Sequence, residues 1–269
     1  MSDQLYYQYA FAQPDCSVRE IGPGVDPRFP VELLCSEPVA AVVSQVGWDQ
    51  SDLQKLQAET VEDLGWLKRV AVRHHEIICQ AAASSPVLPL RLGTLFRSRA
   101  SLLAAALRCQ AAVADFLHTL ADRQEWAVRL YLEKQYLEAT AGHAAPPPPH
   151  HAPTAGAGTG TGTAYLKRKQ LQLQRRRELQ AALPEEIQAV EDRLKARAER
   201  CCRVRAWPVG LSGRHEKMVF NAAFLLPSSE TKTWLATVGQ TREAVRRKGL
   251  LLEVTGPWPP YHFCPTPEL

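Results

Sequence analysis

Eight histidines and seven cysteines are the side chains here best suited to chemistry, and their spacing decides what they can do. His74-His75-Glu76 resembles part of a metal or acid–base motif. A zinc-protease helix, however, needs two histidines four apart with the glutamate between them, whereas adjacent histidines point to different faces. His74 falls on an apolar helical stripe, which predicts a hydrogen-bonded structural histidine. His143, His150 and His151 lie in a Pro/Gly-rich stretch with no cysteine or carboxylate to complete a metal set. Cys16, Cys35, Cys79, Cys109, Cys201, Cys202 and Cys264 are scattered, without CxxC or Cys/His spacing, and read as reduced thiols. Gly156, Gly158, Gly160 and Gly162 lack the Lys-Ser/Thr of a phosphate loop and the strand of a dinucleotide site. No Ser/His/Asp combination sits in a nucleophile elbow. These residues predict no catalytic group, no metal and no cofactor.

Two apolar runs are more distinctive. Residues 256–263 (GPWPPYHF) hold three prolines among eight positions, which excludes helix and a central strand. Locked φ angles reduce the entropy lost on docking, and Trp258, Tyr261 and Phe263 offer large apolar area. Such a tail either clamps its own domain or docks a partner. Residues 86–96 (PVLPLRLGTLF) form the second run. Leu88, Pro89 and Arg91 within it, with Trp258, Pro259, Pro260, Tyr261 and Phe263 of the tail, are the candidate protein-interaction residues. Arg91 either binds a carboxylate that fixes the turn before Gly93 or contacts a partner. His74, Asn221 and Gly249 are the candidate structural residues.

The net charge of +4 is uneven. Residues 165–205 carry twelve Lys/Arg against six Asp/Glu, which leaves the remainder slightly acidic. The runs Lys167-Arg168-Lys169 and Arg175-Arg176-Arg177 are consistent with a solvated helix face, an acidic protein partner or nucleic acid. The last would want exposed aromatics beside the patch, and only Tyr165 is near. No 18 consecutive residues are apolar, so no spanning helix is expected. The first residues lack a charged-then-apolar signal, which predicts a cytoplasmic protein.

The length fits two domains. Residues 140–164, with a polyproline run and alternating Gly/Thr/Ala, predict a flexible linker between a domain at 1–139 and another at 165–269. Strands are expected at 5–11, 31–35, 39–44, 87–90, 126–132, 218–226 and 250–255. Ser51 with Gln54 suggests a helix start, and Thr60 caps the next helix, with Leu64, Leu67, Ala71, His74 and Ile78 facing inward. Ser98 opens a third helix, burying Leu103, Leu107, Gln110, Ala114 and Leu117. Leu179, Leu183, Ile187, Val190, Leu194, Ala198 and Cys201 form one stripe on a long basic helix, with a kink or a new start at Pro184. A helix from about Ser229 ends at Gly249, placed for a left-handed cap. The layout is α+β, each domain having a small, mainly antiparallel, ferredoxin-like sheet with one face covered by helices.

In order along the chain, several landmarks resemble the GvpL/GvpF family of gas vesicle proteins. They are Tyr6-Tyr7-Gln8-Tyr9-Ala10, a His74/His75 helix leading into residues 86–96, Glu125-Trp126-Ala127-Val128, Gly162-Thr163-Ala164-Tyr165-Leu166, Asn221-Ala222-Ala223-Phe224-Leu225, and the 256–263 tail. Leu92 stands where the family more often has Phe, and the Pro/Gly/His linker looks like an insertion. The resemblance implies a non-enzymatic accessory or minor structural protein located with the gas vesicle. Its partner would be the small, hydrophobic major gas vesicle shell protein, with other gas vesicle accessory proteins as further partners and no nucleic acid or membrane. An RNA-binding protein with ferredoxin-like domains and a basic helix is the competing reading.

Overall fold

A computed structural model describes residues 4–57, 64–133, 160–209 and 214–267. Thr60, His143, His150, His151 and most of the expected linker lie outside the described residues. The chain divides into two compact units, Met1–Glu125 with Pro257–Leu269, and Trp126–Gly256. This departs from the limits expected at 139 and 165. The bounds of the second unit begin at Trp126, ahead of the expected linker, and the tail belongs to the first unit. Composition marks where a chain has little to bury; it does not say which strands will share a sheet.

The first unit contains strands β1 (Leu5–Ala12), β2 (Glu32–Ser36), β3 (Val39–Val46), β4 (Val87–Pro89) and β5 (Leu95–Phe96), and helices α1 (Gln50–Gln57), α2 (Leu64–Ala82) and α3 (Arg99–Thr119). The sheet order is β2-β3-β1-β4, with β5 also pairing with β1. β1 runs antiparallel to β3, from Leu5 opposite Val46 to Ala12 opposite Ala40, with an irregularity between Gln8 and Ala10. β1 and β3 are buried almost throughout because both sheet faces are covered. On one side Tyr7, Tyr9, Val42 and Val46 pack with Val70, Ile77, Ile78 and Ala81 of α2. On the other, Phe11, Ala41, Val43 and Leu88 pack with Leu102, Ala106, Val113 and Leu117 of α3. The expectation of one covered face fails in this unit. A residue loop, not a helix, also joins β1 to β2, so the ferredoxin-like strand order is kept without its first crossover helix.

Local chemistry explains the boundaries. Asp49, not Ser51, starts α1: the Asp52 amide donates to Asp49 Oδ1 at 2.9 Å, and the Asp49 amide returns a bond to Asp52 Oδ2. Ser98 caps α3 in a box with Ser101. The buried face of α3 is Leu102, Ala105, Ala106, Cys109, Val113 and Leu117, whereas Leu107 is exposed. Small alanines let this helix approach the sheet, so counting only large residues misplaced its inner face. Leu64 of α2 is likewise exposed. By length and composition α3 is apolar enough to cross a membrane, which a search for unbroken apolar runs missed. Its packing against the sheet through Leu102, Ala106, Val113 and Leu117 is that of a core helix.

The second unit follows the β-α-β-β-α-β order. Its elements are β6 (Arg123–Leu132), α4 (Gly160–Lys195), β7 (Arg200–Arg203), β8 (Met218–Pro227), α5 (Thr231–Arg246) and β9 (Leu250–Trp258), with sheet order β7-β8-β6-β9. At the end of β6 the Leu132 amide donates to Lys217 O and the Glu133 amide to Gly249 O, so β6 runs antiparallel to both neighbours. Val128, Leu130, Phe220, Phe224 and Leu226 meet Val190 and Leu194 of α4 and Trp234, Val238 and Val245 of α5. Trp234 Nε1 donates to the Leu194 carbonyl at 3.1 Å, giving one of the free acceptors at the end of α4 a partner. α4 is assigned as one helix through Pro184 and stops at Lys195, so Ala198 and Cys201 lie beyond it, Cys201 on β7.

Candidate interaction site

The candidate residues fall on α2, the turn after β4 and the tail, all in the first unit. His74 is buried on the inner face of α2 beside Tyr7 of β1. The Tyr7 hydroxyl and His74 Nδ1 are 2.9 Å apart, and the Gly93 amide donates to the same hydroxyl at 3.0 Å. Burial drives the Tyr7 phenol above its usual range, so it remains a donor to His74. Burial lowers the His74 pKa to about 4, opposed by a hydrogen bond to the Leu90 backbone. A neutral imidazole fits these partners, with Nδ1 accepting from the Tyr7 hydroxyl and the Leu90 backbone close to the ring. His74 thus ties helix α2 to the first strand and to the turn that follows β4.

That turn is closed by backbone. The Thr94 amide and hydroxyl both donate to the Arg91 carbonyl, at 3.2 and 2.8 Å. Gly93 has φ +82°, a left-handed value that a side chain there would resist. Arg91 is exposed, and among the described residues no carboxylate pairs with its guanidinium, contrary to one of the two roles expected for it. Leu88 is fully buried in the sheet–α3 core and Pro89 half-buried, so Arg91 and its exposed neighbour Leu92 are what this segment presents outward.

The tail lies across the same unit. The Trp258 and Tyr261 rings flank His75, with centroids 5.5 and 5.7 Å from the imidazole. The Tyr261 hydroxyl is 2.8 Å from His75 Nδ1. Glu125, only 1% exposed, accepts from the His262 amide at 3.1 Å and from His262 Nδ1 at 2.6 Å. Pro259, Pro260 and Phe263 are buried, and turn bonds from the Tyr261 and Phe263 amides to Pro259 O and Pro260 O fold the segment inward. The Cys264 thiol donates to Pro260 O at 2.8 Å; burial, with the Glu125 charge adding to it, raises its pKa to about 12. A cleft of about 300 Å³ remains between residues 257–260, Cys79 and Ala82 of α2, and Arg123–Glu125. Tyr261 stays partly exposed beside His75.

The remaining candidates are elsewhere. Asn221 is buried on β8, donating from Nδ2 to the Arg205 carbonyl at 3.2 Å. Gly249 has φ +77°, between α5 and β9. His75, Glu125, His262 and Tyr7 lie in segments noted in the sequence but were not among the candidate site residues. Glu125 and His262 are 137 positions apart, and nothing local announces the pair. Tyr7 sits in an aromatic run whose alternation marks it as core, but not as a partner of His74. Among the described residues no three metal-ligating side chains converge. Burial also raises the thiol pKa of Cys16, Cys79, Cys109 and Cys201, which disfavours the nucleophilic thiolate.

Comparison with known proteins gives a consistent set of likenesses. The sequence profile described as "Gas vesicle synthesis protein GvpL/GvpF" matches residues 5–265. "Gas vesicle protein L" of Streptomyces sp. (strain CB03234) is 28% identical over 98% of this chain and 94% of its own length. The crystal structure of the gas vesicle protein GvpF from Anabaena sp. PCC7120 superposes with a TM-score of 0.66 at 19% identity, covering 98% of each chain. GvpF from Microcystis aeruginosa gives 0.58 at 15% identity, covering 96% of this chain and 98% of that one. At these identities the two crystal structures speak to the fold.

Proposed function

Because the chain belongs to the gas vesicle synthesis protein GvpL/GvpF family and so to gas vesicle formation, we propose that it is a non-enzymatic accessory protein that binds the major shell protein during nucleation and assembly. The observation that carries this reading is the family match along nearly the whole chain. The site agrees with it in character: rings, prolines and a backbone-closed turn, rather than a nucleophile with its base. A very hydrophobic subunit aggregates unless its apolar surface is met early by a matched one. Of the candidate segments in the first unit, Arg91, Leu92 and Tyr261 are exposed and are the residues this reading offers to the partner, whereas Trp258 and Pro89 are half-buried. Leu88, Pro259, Pro260 and Phe263 are buried.

The test is direct binding of purified chain to the major shell protein, with Arg91→Ala/Tyr261→Ala as the surface variant. Binding that weakens at least tenfold, about 1.4 kcal/mol, is expected, with the fold unchanged. Tight RNA binding with a steep salt dependence, and no affinity for shell protein, would instead establish the nucleic-acid reading. Normal flotation of cells lacking the gene would reject the assembly role.

A further inference from the structure

The first half of α4 is a second surface, separate from the site above. The second half of this 36-residue helix drives Val190 and Leu194 into the core. The first half does nothing comparable: every described side chain from Leu166 to Ala181 is exposed. Leu166, Leu171 and Leu173 are 58%, 53% and 43% exposed. Six Lys/Arg stand in residues 165–180 against one acid, Glu178, which accepts from Gln174 Nε2 at 3.2 Å. A solitary helix of about 20 residues is marginal in water, and concentrated like charge weakens it further.

The pattern along this face is specific. Leu166 and Leu173 are one heptad apart and share a face. Lys169, also exposed, falls three residues after Leu166, which sets a cation between the two leucines along this face. Two copies of this face would repel at the cationic position. Leu171 lies on a different side of the helix, so the leucines do not merge into the broad apolar face that membrane insertion uses. Phosphate binding would need the cations but not the interleaved leucines.

We propose that the first half of α4 docks an acidic amphipathic helix of another protein. Its apolar residues would meet Leu166 and Leu173, and a carboxylate between them would face Lys169. The proposal concerns the second unit and is independent of which surface meets the shell protein.

Full-length protein would be titrated with a synthetic helical peptide carrying leucine and glutamate in the facing register, and with a control of the same composition in permuted order. The registered peptide is expected to bind at least tenfold more tightly. Leu166→Ser/Leu173→Ser should abolish that preference without changing the circular dichroism, and Lys169→Glu should weaken binding of the registered peptide. Equal binding of both peptides would overturn the proposal, since charge alone would then suffice. It is also overturned if phosphatidylserine vesicles or RNA bind more tightly than the registered peptide and lose that affinity in the double-leucine variant.

Discussion

His74 should make the first unit sensitive to mild acid. In the fold its imidazole is held neutral, with its pKa lowered by burial from 6.5 to about 4. An unfolded chain protonates the same ring near 6.5, so between these values the unfolded state binds more protons. The stabilisation is therefore complete above about pH 6.5 and is lost as pH falls toward about 4. At roughly 1.4 kcal/mol per pKa unit, the loss totals about 3 kcal/mol. Other groups titrate in this range, so the informative quantity is the difference between wild type and His74→Gln. Urea unfolding at about pH 7 should show the variant less stable by about 1–3 kcal/mol, because the Tyr7 and Leu90 bonds are lost or bent. By about pH 4.5 that gap should narrow by about 2–3 kcal/mol, or reverse. A gap that stays constant with pH would refute the reasoning, as would ring NMR shifts showing His74 protonated in the native state at pH 5.5.

Three further outcomes are expected. Phe263→Ala should cost about 3–4 kcal/mol in chemical denaturation, since the ring is only 5% exposed; an unchanged midpoint would mean the tail does not clamp the unit. Glu125→Leu leaves the His262 amide and ring unpartnered and should destabilise by about 1–3 kcal/mol, with faster proteolysis after residue 256 as the local readout. Deleting residues 146–159 should leave the melting temperature nearly unchanged, because the stretch offers little to bury and loop-closure cost grows only logarithmically; a drop of several degrees would show that it packs.

Much of the framework was readable because neighbours in sequence determine it. Met218–Pro227 is apolar at almost every position and became an inner strand; Ser98 and Gly249 stand where a cap and a positive φ are needed. The misses have a common physical origin in partners far apart along the chain. Whether a sheet is covered on one face or two depends on where α3 lands, and its inner face interleaves Ala105, Ala106 and Cys109 with Leu102, Val113 and Leu117, which weakens its large-residue periodicity. The Asp49–Asp52 cap was overlooked because Ser51 offered a similar local signal one turn position away. In the site, His74 was legible from its place on an apolar stripe. Glu125 was not, since a carboxylate near the start of a β-strand looks solvated until His262 arrives from the far end.

The first unit begins at the start of the chain and is completed by its last residues, with the second unit in between. During synthesis, then, Glu125 must wait 137 further residues for its partner His262, with Phe263 one residue later. At translation rates of roughly 5–20 residues per second this interval is roughly 7–27 s, far longer than a helix or hairpin needs to form. Over that time the unit has its strands and helices but not its closing strap, and Glu125 lacks its histidine. Ribosome-bound chains would hold an open form of the first unit until residues 257–264 emerge. The order of translation thereby sets when the surface around Tyr261 and His75 first exists.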